Sequence, residues 1–137
     1  MASCGFEKLD VYRLAETLAD EVWNVVLKWP RLAQDRVGKQ LIRACDSIGA
    51  NIAEGSGKGS YADNRRFVRM ARGSLYESRH WLRRAYRRNL LSEKEINHLK
   101  SLLFELGPRL NAYLRSIGPP PSSVKSSNNA SQMTKDK

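Results

Sequence analysis

The chain has 137 residues, 24 Lys plus Arg against 14 Asp plus Glu, a formal net charge of +10 and a pI near 10.0. That length suits one domain whose core needs no disulfides or metals, and 41% hydrophobic with 28% charged residues excludes a membrane-embedded or wholly unfolded chain. No apolar run approaches the roughly 20 residues of a spanning helix, and the opening residues do not resemble a signal peptide. The expectation is a cytoplasmic protein with no membrane partner. Two cysteines make no framework: Cys4 lies in the leading segment and Cys45 among apolar residues, where a thiol acts as a small hydrophobe.

From Leu9 to Trp29, Val11, Ala15, Leu18, Val22, Val25 and Trp29 recur at spacings of three and four, which predicts an amphipathic helix stopped near Lys28 by Pro30. Val37, Leu41, Cys45, Ile48 and Ile52 carry the same period into a second helix. It is expected to end at Gly55, with Ser56, Gly57 and Gly59 as cap and loop.

Ser60 and Asp63 open a third helix, the longest, running to about Asn89. Its inward residues are read as Phe67, Ala71, Ser74, Ser78, Leu82 and Ala85, flanked by Met70, Leu75 and Trp81. Ser92 and Glu95 form a Ser-x-x-Glu capping box before a fourth helix through Ile96, Leu99, Leu103, Leu106, Leu110, Tyr113 and Ile117. Gly107 and Pro108 should kink or split it. Past Gly118, three prolines lead into Ser, Asn, Lys and Gln with little to bury. The fold class is all-α: an antiparallel up-and-down four-helix bundle over residues 6–118, between a flexible N-terminus (1–5) and a disordered C-terminal tail (119–137).

The charge is local. Residues 61–90 hold 9 basic and 2 acidic side chains, whereas residues 1–60 hold 8 of each. Every basic residue in the third helix is arginine. With Phe67 set to zero and about 100° per residue, Arg65, Arg69, Arg72, Arg79, Arg83 and Arg87 fall between about 120° and 200° with Tyr76 among them, and Arg66, Arg84 and Arg88 form a second row. The expected result is one outward stripe. Helix faces that are merely solvated usually mix signs for i,i+4 support, but none of these arginines has an acid four residues before it. Pairing with Glu16, Asp20 and Glu21 of the first helix, within or between subunits, is the main competing explanation. A guanidinium fork fits phosphate, and Tyr76 and Tyr86 offer stacking, so backbone and shape recognition of RNA or DNA is the expected use.

Three stretches carry a resemblance: Phe6 to Tyr12, Ser47 to Gly55, and Arg66-Phe67 with Ala71 to Glu77. Over residues 6–117 the chain resembles the bacterial four-helix bundle family first met as proteins encoded by intervening sequences in large-subunit ribosomal RNA genes. The same fold includes the accessory protein of diversity-generating retroelements, which is similarly basic and works with a reverse transcriptase and its RNA. The resemblance implies an antiparallel bundle assembled as a homopentamer. After the Gly73-Ser74-Leu75-Tyr76-Glu77 motif the family commonly continues with acidic and apolar residues, whereas this chain runs from Arg79 to Arg88 with five arginines. The stripe is therefore partly its own. Among the motif residues, Asn51 and Glu54 are read as polar braces to other helices or to the loop at Gly55, Gly49 and Gly73 as points of close helix approach, and Ser74 and Glu77 as packing positions.

Catalytic constellations do not emerge. Glu77-x-x-His80 and Glu95-x-x-His98 are isolated matches to a di-iron pattern, and Ser56 to Ser60 lacks phosphate-loop spacing. No cofactor, metal or enzymatic activity is expected. The leading reading is a non-catalytic, oligomeric nucleic-acid-binding bundle. The competing one is an assembly or adaptor module that docks a protein, such as a reverse transcriptase, without touching nucleic acid.

Overall fold

A computed structural model describes residues 5–119, all helices and connections with no strand among them. The expected flexible N-terminus (1–5) and tail (119–137) lie outside these residues except for Gly5 and Pro119. A 3-10 turn, Phe6–Lys8, leads into α1, Asp10–Val26. The second rod, α2, spans residues 31–56 as an α-turn Arg31–Ala33, a π-helical stretch Gln34–Gly38 and an α-helical body Lys39–Ser56. The third and fourth helices are α3, Tyr61–Arg87, and α4, Glu93–Ser116.

Each helix packs on two neighbours in the cyclic order α1, α2, α3, α4, which leaves α1 and α3 on a diagonal. Contacts between helix ends show the antiparallel register. Lys28, just past the end of α1, meets Glu95 at the start of α4 at 2.9 Å, and Arg109 near the end of α4 approaches Asp10 at 3.9 Å. Arg65 at the start of α3 donates to the Ile117 carbonyl beyond α4 at 2.9 Å. Leu18, Leu41, Ile48, Ile52, Leu99, Leu106 and Leu110 are fully buried at the centre. The predicted up-and-down bundle is the fold.

Boundaries differ from the sequence reading at three places, each with a local cause. α2 starts at Arg31, six residues before Val37, because Pro30 both ends α1 and leads into the next helix in an extended conformation. Gln34 then caps α1: its Nε2 donates to the Val26 and Leu27 carbonyls at 3.1 Å each. The π stretch brings Val37 and Gly38 inward. A Cβ on Gly38 would stand 2.5 Å from Val26 Cγ1, so the start of α2 can lie this close to α1 only without a side chain there.

Gly55 is not a cap. The helix runs through it to Ser56, and Gly55 is buried against α3, where a Cβ would meet Asn64 Oδ1 at 2.6 Å, Phe67 Cβ at 2.9 Å and the Asn64 carbonyl at 3.1 Å. Pro108 does not split α4, which is one helix from Glu93 to Ser116. Pro108 is exposed, on the side of α4 away from the core, and the helix tolerates there the loss of the backbone hydrogen bond to Phe104 that a proline cannot make.

Both N-caps form as read. Ser60 Oγ accepts from the Asp63 N–H at 3.1 Å, and at α4 the exchange is reciprocal: Glu95 N–H to Ser92 Oγ at 3.1 Å and Ser92 N–H to Glu95 Oε1 at 2.9 Å. The Ser92 N–H and the Lys28 ammonium hold the Glu95 carboxyl below its ordinary value of 4.5. A group depressed in the folded state contributes stability that is complete above its unfolded pKa and lost as pH falls through the folded one. Urea midpoints measured from pH 6 to pH 3 should therefore show wild type and Glu95→Gln separated by a constant gap above about pH 5 that closes below 4.5. Parallel curves throughout would contradict this.

The two motif glycines on facing helices give a second test. Gly73 is exposed, with nothing within 4 Å of an added Cβ, so within the chain it is not the point of close approach the sequence suggested. At Gly49 an added Cβ would stand 3.4 Å from Tyr12 Cε1, at the edge of ordinary van der Waals contact. Gly55→Ala should destabilise by about 1–3 kcal/mol through overpacking, while Gly73→Ala should stabilise by about 0.5–1 kcal/mol through helix propensity. Equal effects in urea melts would mean that the α2–α3 approach is wrong.

Candidate nucleic-acid interface

The rotation of α3 about its own axis is set by its buried residues. These are Val68, Ala71, Leu75, Ser78, Leu82 and Ala85, with Phe67, Ser74 and Trp81 half-buried and Met70 exposed. The centre of the apolar stripe therefore lies about 50° on from Phe67, displaced by Val68 and Leu75. The far end is closed by Asn89 at φ 62°. Its N–H donates to the Tyr86 carbonyl at 3.0 Å and the Leu90 N–H to the Ala85 carbonyl at 2.9 Å, the paired bonds of a Schellman ending.

This rotation divides the arginines. Arg65 and Arg72 turn half-buried toward α4, and Arg72 Nη1 donates to Asn111 Oδ1 at 3.2 Å as Arg65 does to the Ile117 carbonyl at 2.9 Å. The N-terminal part of the expected outward stripe thus helps lace α3 to α4. Arg69, Arg79, Arg83 and Arg87 are exposed and make no hydrogen bond or ion pair among the described residues. In the second row Arg66 is 3.7 Å from Asp63 and stacks on Phe67 at 4.7 Å, whereas Arg84 and Arg88 are unpaired. From Arg69 to Arg87 the free row is about 27 Å long.

The acids are elsewhere. Glu77 points across to Arg43 of α2 at 3.7 Å. On α1, Glu16 accepts from the Tyr12 hydroxyl at 3.4 Å and Glu21 lies 3.4 Å from His98. Asp20 adds to burial in raising the Asp46 carboxyl. Because α1 and α3 are diagonal, the acids of α1 do not neutralise the arginines of their own chain.

Between α3 and α4 runs a groove of about 740 Å³. Leu82, Ile96 and Leu103 form its floor. Tyr76, Arg79, Arg83, Tyr86 and Arg87 line one wall, and Glu93, Asn97, Lys100 and Phe104 the other. It continues past Tyr76 and Phe104 into a smaller hollow of about 270 Å³ beside Arg72 and Asn111. The Tyr86 hydroxyl donates to Glu93 at 2.6 Å, which raises the phenol pKa and occupies the groove's one carboxylate. Phe104, Lys100 and Asn97 were missed by sequence reasoning. The available signal was a phenylalanine one position off the α4 core stripe, with a lysine one turn before it.

The remaining motif residues make local contacts. Asn51 Nδ2 donates to the Ser47 carbonyl in its own helix at 2.9 Å, and Glu54 pairs at 3.2 Å with Lys58 of the loop that follows Gly55, so neither reaches another helix and Glu54 meets the loop. The Ser74 carbonyl accepts from the buried Ser78 hydroxyl at 2.8 Å. Burial pushes the Cys45 thiol up to about 12, leaving it un-ionised at neutral pH. No group of three or more His, Cys, Asp or Glu among the described residues is placed to hold a metal, and no described helix is long and apolar enough to cross a membrane.

Fold and site together describe a four-helix bundle with one cationic side. A sequence profile of the 23S rRNA-intervening sequence protein family matches residues 7–112, and the chain belongs to that family. A solved structure of a protein of unknown function from the S23 ribosomal protein family of Bacteroides thetaiotaomicron VPI-5482 is similar, with a TM-score of 0.68 and 21% identity over 77% of this chain and 99% of that one. At that identity the likeness concerns the fold alone. No curated protein matches the chain.

Proposed function

We propose that the protein is a non-catalytic, cytoplasmic nucleic-acid-binding bundle whose contact surface is the side formed by α3 and α4. One observation carries the reading: four exposed arginines, Arg69, Arg79, Arg83 and Arg87, stand along one helix with no hydrogen bond or ion pair among the described residues. Their mutual repulsion costs the free protein stability, and a polyanion removes that cost while releasing its own counterions. Arg is suited to the task because its planar fork engages phosphate oxygens in pairs. The family takes its name from intervening sequences of 23S rRNA, a coarse pointer to RNA.

Resemblance to the family supports a homopentamer, which would repeat the arginine row around a ring, and service beside a reverse transcriptase as in diversity-generating retroelements. Supporting a subunit contact, Trp23 and Leu27 are 51% and 58% exposed beside an apolar groove of about 610 Å³ between α1 and α2.

With the four arginines and Lys100 on phosphates, log K against log salt should fall with a slope of about −3.5 to −4.5 per subunit, for single and double strands respectively. The triple variant Arg79→Gln, Arg83→Gln, Arg87→Gln should shift the slope by about +2 to +3 and leave the thermal midpoint unchanged or raised. A flat salt response, or protein partners recovered after nuclease treatment with no nucleic acid bound, would instead support the adaptor reading.

A further inference from the structure

The groove between α3 and α4 carries more than charge. Each wall exposes an aromatic ring with a cation over it: Tyr76 beneath Arg79 at 5.8 Å, and Phe104 beneath Lys100 at 5.9 Å. The rings are 56% and 65% exposed, and of the other exposed aromatics Trp23 and Tyr61 lie outside this groove while Tyr86 shares its wall. Two large apolar rings left in water on opposite walls of one groove, at no benefit to the core, mark a surface made for a flat apolar partner.

Resting on the nucleic-acid reading above, the geometry points to unpaired nucleotides as the ligand of this groove, with bases stacked on Tyr76 and Phe104 and phosphates on Arg79, Arg83 and Lys100. The chemistry of the ligand follows from the lining. A groove with an apolar floor and aromatic walls accepts base faces, the arginine and lysine rim accepts the backbone, and Asn97 offers an amide to a base edge. A duplex meets only the rim, because its bases are already stacked inside a rod too wide to enter between two packed helices. An acidic peptide matches the rim and leaves the rings uncovered. The exposed α3 arginines alone are indifferent to strandedness; the rings are what select single strands.

Fluorescence anisotropy at fixed salt tests this on the full chain with three probes of equal length: a mixed-sequence single strand, the same strand annealed to its complement, and the same backbone with abasic sites. The single strand should bind at least about tenfold more tightly than the abasic backbone and more tightly than the duplex. Phe104→Ala and Phe104→Leu should each lose most of that advantage with no change on the abasic probe, and because Phe104 is exposed the fold should survive both. Equal affinity for the single strand and the abasic backbone, or no effect of either Phe104 variant, overturns the base-stacking proposal. If the Arg79, Arg83 and Arg87 variant still weakens binding in that case, the nucleic-acid reading stands without it. Binding to none of the three probes removes both.

Discussion

Burial of Val68, Ala71, Leu75, Ser78, Leu82 and Ala85 along one side of α3 is the constraint on which the rest depends. These residues are small or medium-sized, so α3 lies deep against α2, close enough that Gly55 has no room for a side chain. Once that side is fixed, every other residue of α3 has a fixed direction. Arg65 and Arg72 meet the α4 side, Glu77 meets α2, and the side chains of Arg69, Arg79, Arg83 and Arg87 have no hydrogen bond or ion pair among the described residues. The cationic side of the protein is thus a consequence of core packing, though the choice of arginine is not. The terminal arginines do find some return: Arg84, Arg87 and Arg88 lie in the last turn or at the cap, where cations interact favourably with the helix dipole. Those in the middle and at the start have no such compensation.

The cyclic order of the helices keeps this side apart from the acids. Glu16, Asp20 and Glu21 are on α1, diagonal to α3: Glu16 accepts from Tyr12, Glu21 lies beside His98, and Asp20 repels the Asp46 carboxylate. A bundle with α1 beside α3 could have cancelled much of the charge. Here the field of α3 is left to act outward, over a groove whose only carboxylate, Glu93, is bound by Tyr86.

Much of the fold was legible because amphipathic period and capping chemistry are local. Ser60, Ser92 with Glu95, and the stop near Asn89 act through the backbone of their own turn, and each functions as its sequence suggests. The early start of α2 was not legible. Its first turns lack an apolar period, and the Gln34 bonds to the α1 carbonyls exist only once the two helices meet. Gly55 is illegible for a related reason: in the sequence it marks the helix end, and only the presence of Asn64 and Phe67 shows that it is also a contact. The arginine row was visible by counting, but its division between lacing and free residues depends on a rotation set by Val68 and Leu75. Phe104 was passed over because the α4 stripe was read for its core side alone.

If the α3 arginines and the groove beside them are the binding surface, ligand contact is confined to the α3–α4 side. An NMR titration of the arginine Nε–Hε and backbone amide signals with a short single-stranded oligonucleotide addresses it directly. Shifts are expected at Arg79, Arg83, Arg87, Lys100 and Phe104, with α1 and the side of α2 facing Trp23 unmoved. Shifts centred on α1 and α2, with the α3 arginines silent, would contradict it.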